Sequence, residues 1–279
     1  MEGTVMVTVN TNVAAMAALS NLNATNRQLN IVQNRINTGL AVASAKDNGA
    51  IYAIAQNMRA EIGGMRAVNQ SLSRGTSTVD VGMAAAEGIS DILIEMKEKA
   101  LAAADASIDT SSRSALNEDF TALRDQIRTM YSNAEFNGVN IIDGSTANIQ
   151  SLADADASSF ITVAGEDFSL SGAIISLTST QNVATQAAAS TTIATVDASL
   201  QNVNEALARL GTASKKLEVH SIFIDKISDA LRAGVGNLVD ADLAAESAAL
   251  QALQVKQQLG IQALSIANQA PQTLLGLFQ

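Results

Sequence analysis

The sequence predicts a mainly α fold: an elongated helical bundle with paired N- and C-terminal coiled-coil helices and a small β-hairpin insert. Three observations carry this reading. Aromatic residues are 3% of the chain and Trp is absent, so the rings that usually supply much of a rounded core are missing. A core of Ala, Leu, Ile and Val instead suits helices that approach closely. A single Pro among 279 residues leaves long stretches without a helix breaker. Finally, apolar residues near both ends recur in alternating steps of three and four, the spacing of a coiled-coil seam.

Charge and cysteine content exclude several function classes. The formal charge is −10, and Lys and Arg are scattered along the chain with no basic tail, which disfavours nucleic acid as a partner. The acidic balance favours solubility through like-charge repulsion. Cys is absent, which removes disulfides, thiolate metal sites and cysteine nucleophiles together. No apolar run approaches about 20 residues, so no membrane partner is expected. Residues 1–10 lack a basic leader region, and Asn and Ser break residues 13–22, so no cleavable signal peptide is expected.

The elements follow in order. Asn10-Thr11-Asn12 offers N-cap side chains before the first helix. Its seam runs through Ala15, Leu19, Leu22, Asn26, Leu29, Gln33, Ile36 and Leu40, with Gly39 as a C-cap or break. Asn26 and Gln33 are polar residues in that seam and could fix its register. After the polar stretch Ser44-Ala45-Lys46-Asp47-Asn48-Gly49, a second helix runs through Ile51, Ala55, Met58, Ile62, Met65, Leu72, Val79, Met83, Ala86, Leu93 and Ala100. A third helix is expected over about 114–132, carrying Leu116, Phe120, Leu123, Ile127 and Met130. Asn137-Gly138 and Asp143-Gly144 are turn dipeptides around a short strand, Val139-Asn140-Ile141-Ile142. Within 145–190, Phe160-Ile161-Thr162-Val163 and Ile174-Ile175-Ser176-Leu177 read as two more strands. A helix is expected over 191–233, interrupted by Gly234-Val235-Gly236-Asn237. Asp240 and Asp242 can cap a last helix from Leu243 onward. That helix carries two apolar rows on separate faces, which implies burial on more than one side.

No catalytic constellation emerges, and neither a cofactor nor an enzymatic activity is expected. His220 is the only histidine, so it cannot join a histidine cluster and reads as a helix-surface or interface residue. Glu118-Asp119 and the Asp240/Asp242 pair read as surface charge and caps, not as an acid–base pair. Gly63-Gly64, Gly234 and Gly236 lack the strand–turn–helix setting of a phosphate loop, which leaves close helix approach or a hinge. Met58, Met65, Met83 and Met96 read as gap-filling core.

Several short motifs together resemble bacterial flagellins. Val9-Asn10-Thr11-Asn12 resembles their opening, as does Arg35-Ile36-Asn37-Thr38-Gly39-Leu40 continuing to Ser44-Ala45-Lys46-Asp47. Phe136-Asn137-Gly138-Val139 is similar to the family's hairpin signature. Ala267-Asn268-Gln269-Ala270-Pro271-Gln272 and Leu274-Leu275-Gly276-Leu277-Phe278 resemble its tail. The resemblance covers about 6–145 and 190–279. The family usually begins about where Met6 stands, so residues 1–5 precede the usual start.

The resemblance implies a structural subunit that polymerises into the extracellular flagellar filament for motility. It implies export through the flagellar machinery, with an export chaperone and hook-associated and cap proteins as further partners. Residues 1–40 with 238–279 would form a terminal coiled-coil domain lining the inner tube. Residues 41–145 with 191–237 would form a helical rod, and 146–190 a short outward-facing variable segment. The implied assembly interface is Leu19, Leu22, Leu29 and Ile36 with Leu250, Leu253, Leu259, Leu264, Ile266, Leu274, Leu277 and Phe278. In flagellins sensed by the vertebrate flagellin receptor, the first rod helix presents a Leu-x-Arg-x-Arg-Glu-Leu-type patch. The matching positions here are Leu93, Glu95, Lys97 and Glu98, with Glu95 where the first arginine would stand. A hook–filament junction protein and a flagellin-like adhesin are the alternatives. The absence of Trp and a count of 2 Tyr leave an adhesin without aromatic platforms for sugars.

Overall fold

Asn12 starts the first helix: its Oδ1 accepts a hydrogen bond from Ala15 N at 3.0 Å, satisfying one of the open N–H groups of the first turn. The computed structural model describes residues 11–276, and side-chain surroundings for residues 11–269. Asn10, another of the three expected cap residues, lies outside the described residues. Helix α1 covers Val13–Thr38 and ends on Gly39, whose φ of 71° places it in the left-handed region that glycine adopts freely. Asp47 then closes a turn, its Oδ2 accepting from Ser44 N at 2.8 Å and Ser44 Oγ at 3.0 Å. Those bonds to the charged form, the backbone one first, lower the Asp47 carboxyl below its ordinary value.

Helix α2 spans Gly49–Ala104 and α3 spans Thr110–Asn133. The latter starts four residues before the expected position because Asp109 caps it, accepting from Ser112 N at 2.7 Å. Strands β1 (Glu135–Phe136) and β2 (Val139–Asn140) form the antiparallel hairpin expected around Asn137-Gly138, with both turn residues at positive φ. Strands β3 (Asn148–Leu152) and β4 (Phe160–Ala164) form a second antiparallel pair, in register from Asn148↔Ala164 to Leu152↔Phe160. Helix α4 spans Gln186–Val239 and α5 spans Leu243–Gly276.

Three expectations are corrected. Ile174, Ile175 and Leu177 are buried, yet they form no ladder beyond an isolated bridge between Leu170 and Ile175. Side chains of α4 satisfy this stretch instead: Asn202 Nδ2 donates to the Ile174 carbonyl at 3.1 Å, and Ser176 N donates to Ser199 Oγ at 3.1 Å. Strand β3 falls where no strand was expected. Third, α4 does not stop at Gly234. A side chain there would crowd Met58, whose Cε would be 2.9 Å from a Cβ, so glycine serves close approach while the helix continues.

The described residues fall into two compact units, 11–59 with 231–276 and 60–230. Residues 146–190 lie within the second unit. In that unit the buried residues Met65, Leu72, Val79, Ala86, Leu93 and Ala100 on α2 recur every seven positions. So do Ala189, Val196, Val203, Leu210, Leu217 and Ile224 on α4. A strict seven-residue repeat is the sequence basis of knobs-into-holes packing. Phe120 and Ile127 of α3 are buried with them, as are Ile141, Ile142 and Phe168.

Candidate assembly interface

In the first unit, α1 and α5 run antiparallel, and three polar contacts set their register. Asn12 Nδ2 donates to the Ala267 carbonyl at 2.7 Å. Gln257 Nε2 donates to Asn26 Oδ1 at 2.8 Å, and Arg35 Nη1 meets Glu246 Oε1 at 2.9 Å. The chain thus advances from 12 to 35 along one helix as it retreats from 267 to 246 along the other. Past the end of α1, Ala41 N donates to the Val239 carbonyl at 2.7 Å and Ala241 N to the Gly39 carbonyl at 2.9 Å, which ties the junction.

The apolar part of this seam is small. Leu29, Val32 and Leu253 are buried together, with Ile36, Ala249 and Leu250 packed against them. On α5 the residues turned toward α1 are Glu246, Leu250, Leu253, Gln257, Gly260, Leu264 and Ala267, all buried or half-buried. Gly260 lets the helices close, since a Cβ there would stand 3.2 Å from Leu22 Cδ1.

The expected interface residues therefore divide. Leu22, Leu29, Ile36, Leu250, Leu253 and Leu264 belong to the seam within the subunit. Leu19 is 47% exposed, Leu259 58% and Ile266 68%; these face away from it. The seam passes through Val32 rather than Gln33, which is exposed. Of the two polar seam residues expected, only Asn26 makes a contact across it. Leu274 lies in the last turns of α5, where only the backbone is described, and Leu277 and Phe278 lie outside the described residues.

Further outward apolar side chains are Val13, Met16 and Ile31 on α1, with Leu243, Val255 and Ile261 on α5. Val255 belongs to the apolar row of α5 that also holds Leu259 and Ile266, and that row was the legible signal of an outward face. The cross-helix polar pairs had none beyond Asn26, because no spacing rule joins residues more than two hundred positions apart.

The receptor-patch expectation needs one correction. Leu93 is 0% exposed, a member of the seven-residue core repeat, and cannot present itself to a partner. Glu95 and Glu98 are exposed, while Lys97 pairs with Asp197 at 2.7 Å.

The residues weighed against catalysis have structural surroundings. The His220 ring donates from Nε2 to the Ala153 carbonyl at 2.8 Å and tilts against Phe223. Asp119 accepts from Lys99 Nζ at 2.7 Å, and Asp242 Oδ1 accepts from Ala244 N and Ala245 N at the start of α5. Among the described residues, no group of three His, Asp or Glu is placed to hold a metal. Among them, no helix is long and apolar enough to cross a membrane.

Comparison with known proteins agrees with this arrangement of ends. The bacterial flagellin N-terminal helical region matches residues 9–147, and the C-terminal helical region matches 193–278. Flagellin FljK of Caulobacter vibrioides is 56% identical over 271 residues, covering 97% of this chain and 98% of that one. A flagellin of Brucella melitensis is 33% identical, covering 98% of this chain and 100% of that one. Among solved structures, a protein from Vibrio parahaemolyticus described as flagellar hook-associated superposes with a TM-score of 0.56. It has 14% identity and covers 70% of this chain and 100% of that one, which speaks to the fold alone. With both terminal regions matched in order and relatives matched over nearly their whole length, the chain belongs to the bacterial flagellins, the structural subunits of the flagellar filament.

Proposed function

We propose that α1 and α5 are the polymerisation elements of this flagellin, and that their outward apolar rows are buried by neighbouring subunits. The observation that carries this is the exposure of large apolar side chains on both helices, Val255, Leu259 and Ile266 foremost. Contiguous exposed apolar surface marks an interaction site. Covering each such half-exposed side chain would contribute roughly 1 kcal/mol. Within the subunit the seam buries only a few residues, so the helix pair gains most of its stability from assembly.

In this reading residues 1–40 and 238–279 line the inner tube of the filament. Residues 41–145 with 191–237 form the surrounding rod, and 146–190 face outward. The task is structural and calls on no catalytic group. The subunit leaves the cell through the flagellar export machinery, escorted by an export chaperone. It meets hook-associated proteins at one end of the filament and the cap at the other. The junction-protein and adhesin alternatives have no comparable support, since the two matched regions are those of flagellin itself.

Seeded growth from purified monomer tests the reading. Leu259→Asp and Ile266→Asp should leave the monomer's melting transition unchanged and raise the critical concentration at least tenfold. Growth of both variants at the parental critical concentration would overturn it. Mass spectrometry of filament protein tests the export route, which predicts an N-terminus at or near Met1 or Met6.

A further inference from the structure

The second unit holds a polar pocket of about 390 Å³ between α2, the β1–β2 hairpin and β3. Arg74 and Gly75 stand on its α2 wall, and Phe136 on the hairpin wall. No carboxylate lines it, although the chain carries a formal charge of −10. Arg74 is exposed, and its guanidinium has no ion pair or hydrogen bond among the described residues. An anion entering the pocket therefore meets a cation that no neighbour neutralises.

The β3 side of the pocket is a free strand edge. Gly165 N donates to the Ala147 carbonyl and Ala153 N to the Ser159 carbonyl, each at 3.0 Å. In the register of β3 with β4, the odd-numbered residues of β3 therefore exchange hydrogen bonds with β4. The even-numbered ones turn their N–H and C=O groups the other way. Leu152 shows that direction, its N–H donating to Ser71 Oγ at 3.1 Å. Asn148 and Gln150 share it, and their backbone N–H and C=O groups have no partner among the described residues. Ser151 adds a hydroxyl: the residue is 3% exposed, lines the pocket and makes no side-chain hydrogen bond among the described residues. A Cβ on Gly75 would overlap that hydroxyl, so glycine keeps the space open.

Polar groups withdrawn from bulk water are normally paired. Here a strand edge, a buried hydroxyl and a free guanidinium converge without partners. A carboxylate matches the planar fork of Arg74 through two parallel N–H···O bonds. Hydroxyl groups both donate and accept, so they match the alternating N–H and C=O groups of a strand edge. An inorganic anion would satisfy the arginine and leave the edge unmatched. A neutral sugar would do the reverse.

We propose that this pocket binds a small hydroxylated carboxylate of the hexuronic acid class. Its carboxylate sits on Arg74, and its hydroxyls pair with the edge of β3 and with Ser151. The volume is that of a small-ligand site and takes one sugar ring. Bound there, the acid bridges α2, the hairpin and β3. The site lies wholly within the second unit and is independent of the apolar rows on α1 and α5.

Glucuronate is titrated into unseeded monomer of the full chain, and binding is followed in amide NMR spectra. Saturable shifts should be confined to residues around the pocket, with a Kd of about 1 mM or tighter. Glucose and inorganic phosphate each carry half of the recognised chemistry and should bind roughly tenfold more weakly, since each leaves pocket groups unpaired. Arg74→Gln should weaken glucuronate roughly tenfold and leave glucose unchanged. Gln150→Pro removes an N–H that faces the pocket and not the ladder, a place where an edge strand tolerates proline. It should weaken both sugars. Arg74→Gln changes an exposed residue and keeps the fold, so it decides the matter if Gln150→Pro does not fold. Phosphate or glucose binding as tightly as glucuronate overturns the proposal, as does an Arg74→Gln variant with parental affinity. So does the lack of any saturable shift up to about 20 mM glucuronate.

Discussion

Asn26 on α1 accepts a hydrogen bond from Gln257 on α5 at 2.8 Å, midway along a seam whose two ends are held by Asn12 on the Ala267 carbonyl and by Arg35 on Glu246. A polar pair in an apolar seam lowers stability relative to two aliphatics, because it gains little net energy and must be kept paired. It also makes one alignment distinct from its neighbours. A slip of one turn along either helix leaves both amides unsatisfied, whereas Leu against Leu tolerates it.

The alignment can be read chemically. A Cβ built on Gly260 lies 3.8 Å from Leu22 Cβ, the usual separation across a disulfide. In a chain without Cys, Leu22→Cys with Gly260→Cys should close an intramolecular bond within minutes under mild oxidation. Adding Asn26→Leu and Gln257→Leu should leave filament stability equal or higher and slow that closure several-fold, as slipped registers become populated. Closure at an undiminished rate would show that the polar pair does not set the register.

Two adjacent glycines should respond oppositely to alanine. Gly63 has nothing within 4 Å of a built Cβ, whereas on Gly64 that atom would stand 2.7 Å from Ala155 Cβ and 3.1 Å from the Ala155 carbonyl. Gly63→Ala should stabilise α2 by about 0.5–1 kcal/mol. Gly64→Ala should destabilise the second unit by about 1–3 kcal/mol, because the turn between β3 and β4 has to move. Denaturant titration of the two variants checks both signs.

The Asp109 carboxyl at the start of α3 lies below its ordinary value, chiefly because Ser112 N–H and then the Ser112 hydroxyl bond its charged form. A depressed folded value means that this contribution is fully present above the unfolded value, near pH 4, and is lost as pH falls through the folded one. The parent should therefore be more stable than Asp109→Asn near neutrality, with the difference closing at lower pH. Thermal melts of both from pH 6 to pH 2 make the comparison. A gap independent of pH would remove the carboxylate from the account.

Glu95 should weaken recognition by the vertebrate flagellin receptor. It is exposed on α2 where the patch of sensed flagellins would present a cation, and reversing a charge inside a desolvated contact typically costs about 2–5 kcal/mol. The unmodified monomer should be a poor agonist, and Glu95→Arg, applied as monomer, should raise potency at least tenfold in reporter cells. Parental activity at the level of a strong agonist would refute the assignment.

Helices with regular apolar spacing were legible in the sequence, and so were several local caps, though not Asp109 at the start of α3. Asn12, Gly39 and Asp242 act through contacts a few residues away, which short-range chemistry specifies. Elements that depend on distant partners were not legible. β3 is polar and short, and its pairing rests on β4 and on Ser71 of α2, whose Oγ accepts from Leu152 N at 3.1 Å. Ile174, Ile175 and Leu177 have the composition of a strand, but Asn202 and Ser199 supply partners in place of a ladder. The glycines at 234 and 236 looked like a break, but a Cβ at 234 would crowd Met58, far away in sequence, and one at 236 would crowd the Asp240 carboxylate. In the candidate interface, apolar spacing identified the helices but not which row faces the sister helix. Counting placed Leu19 and Gln33 in the seam, whereas both are exposed and Val32 takes the buried position.

The outward rows of α1 and α5 also carry a thermal signature. Moving Val255, Leu259 and Ile266 out of water during elongation should give subunit addition a negative heat capacity change. Near room temperature the gain is then mainly solvent entropy, and it weakens on cooling. Filaments of this flagellin should be cold-labile at their tips, with a critical concentration that rises as the solution is cooled toward 5 °C. Calorimetry of seeded elongation at several temperatures should return an enthalpy that becomes more favourable with warming.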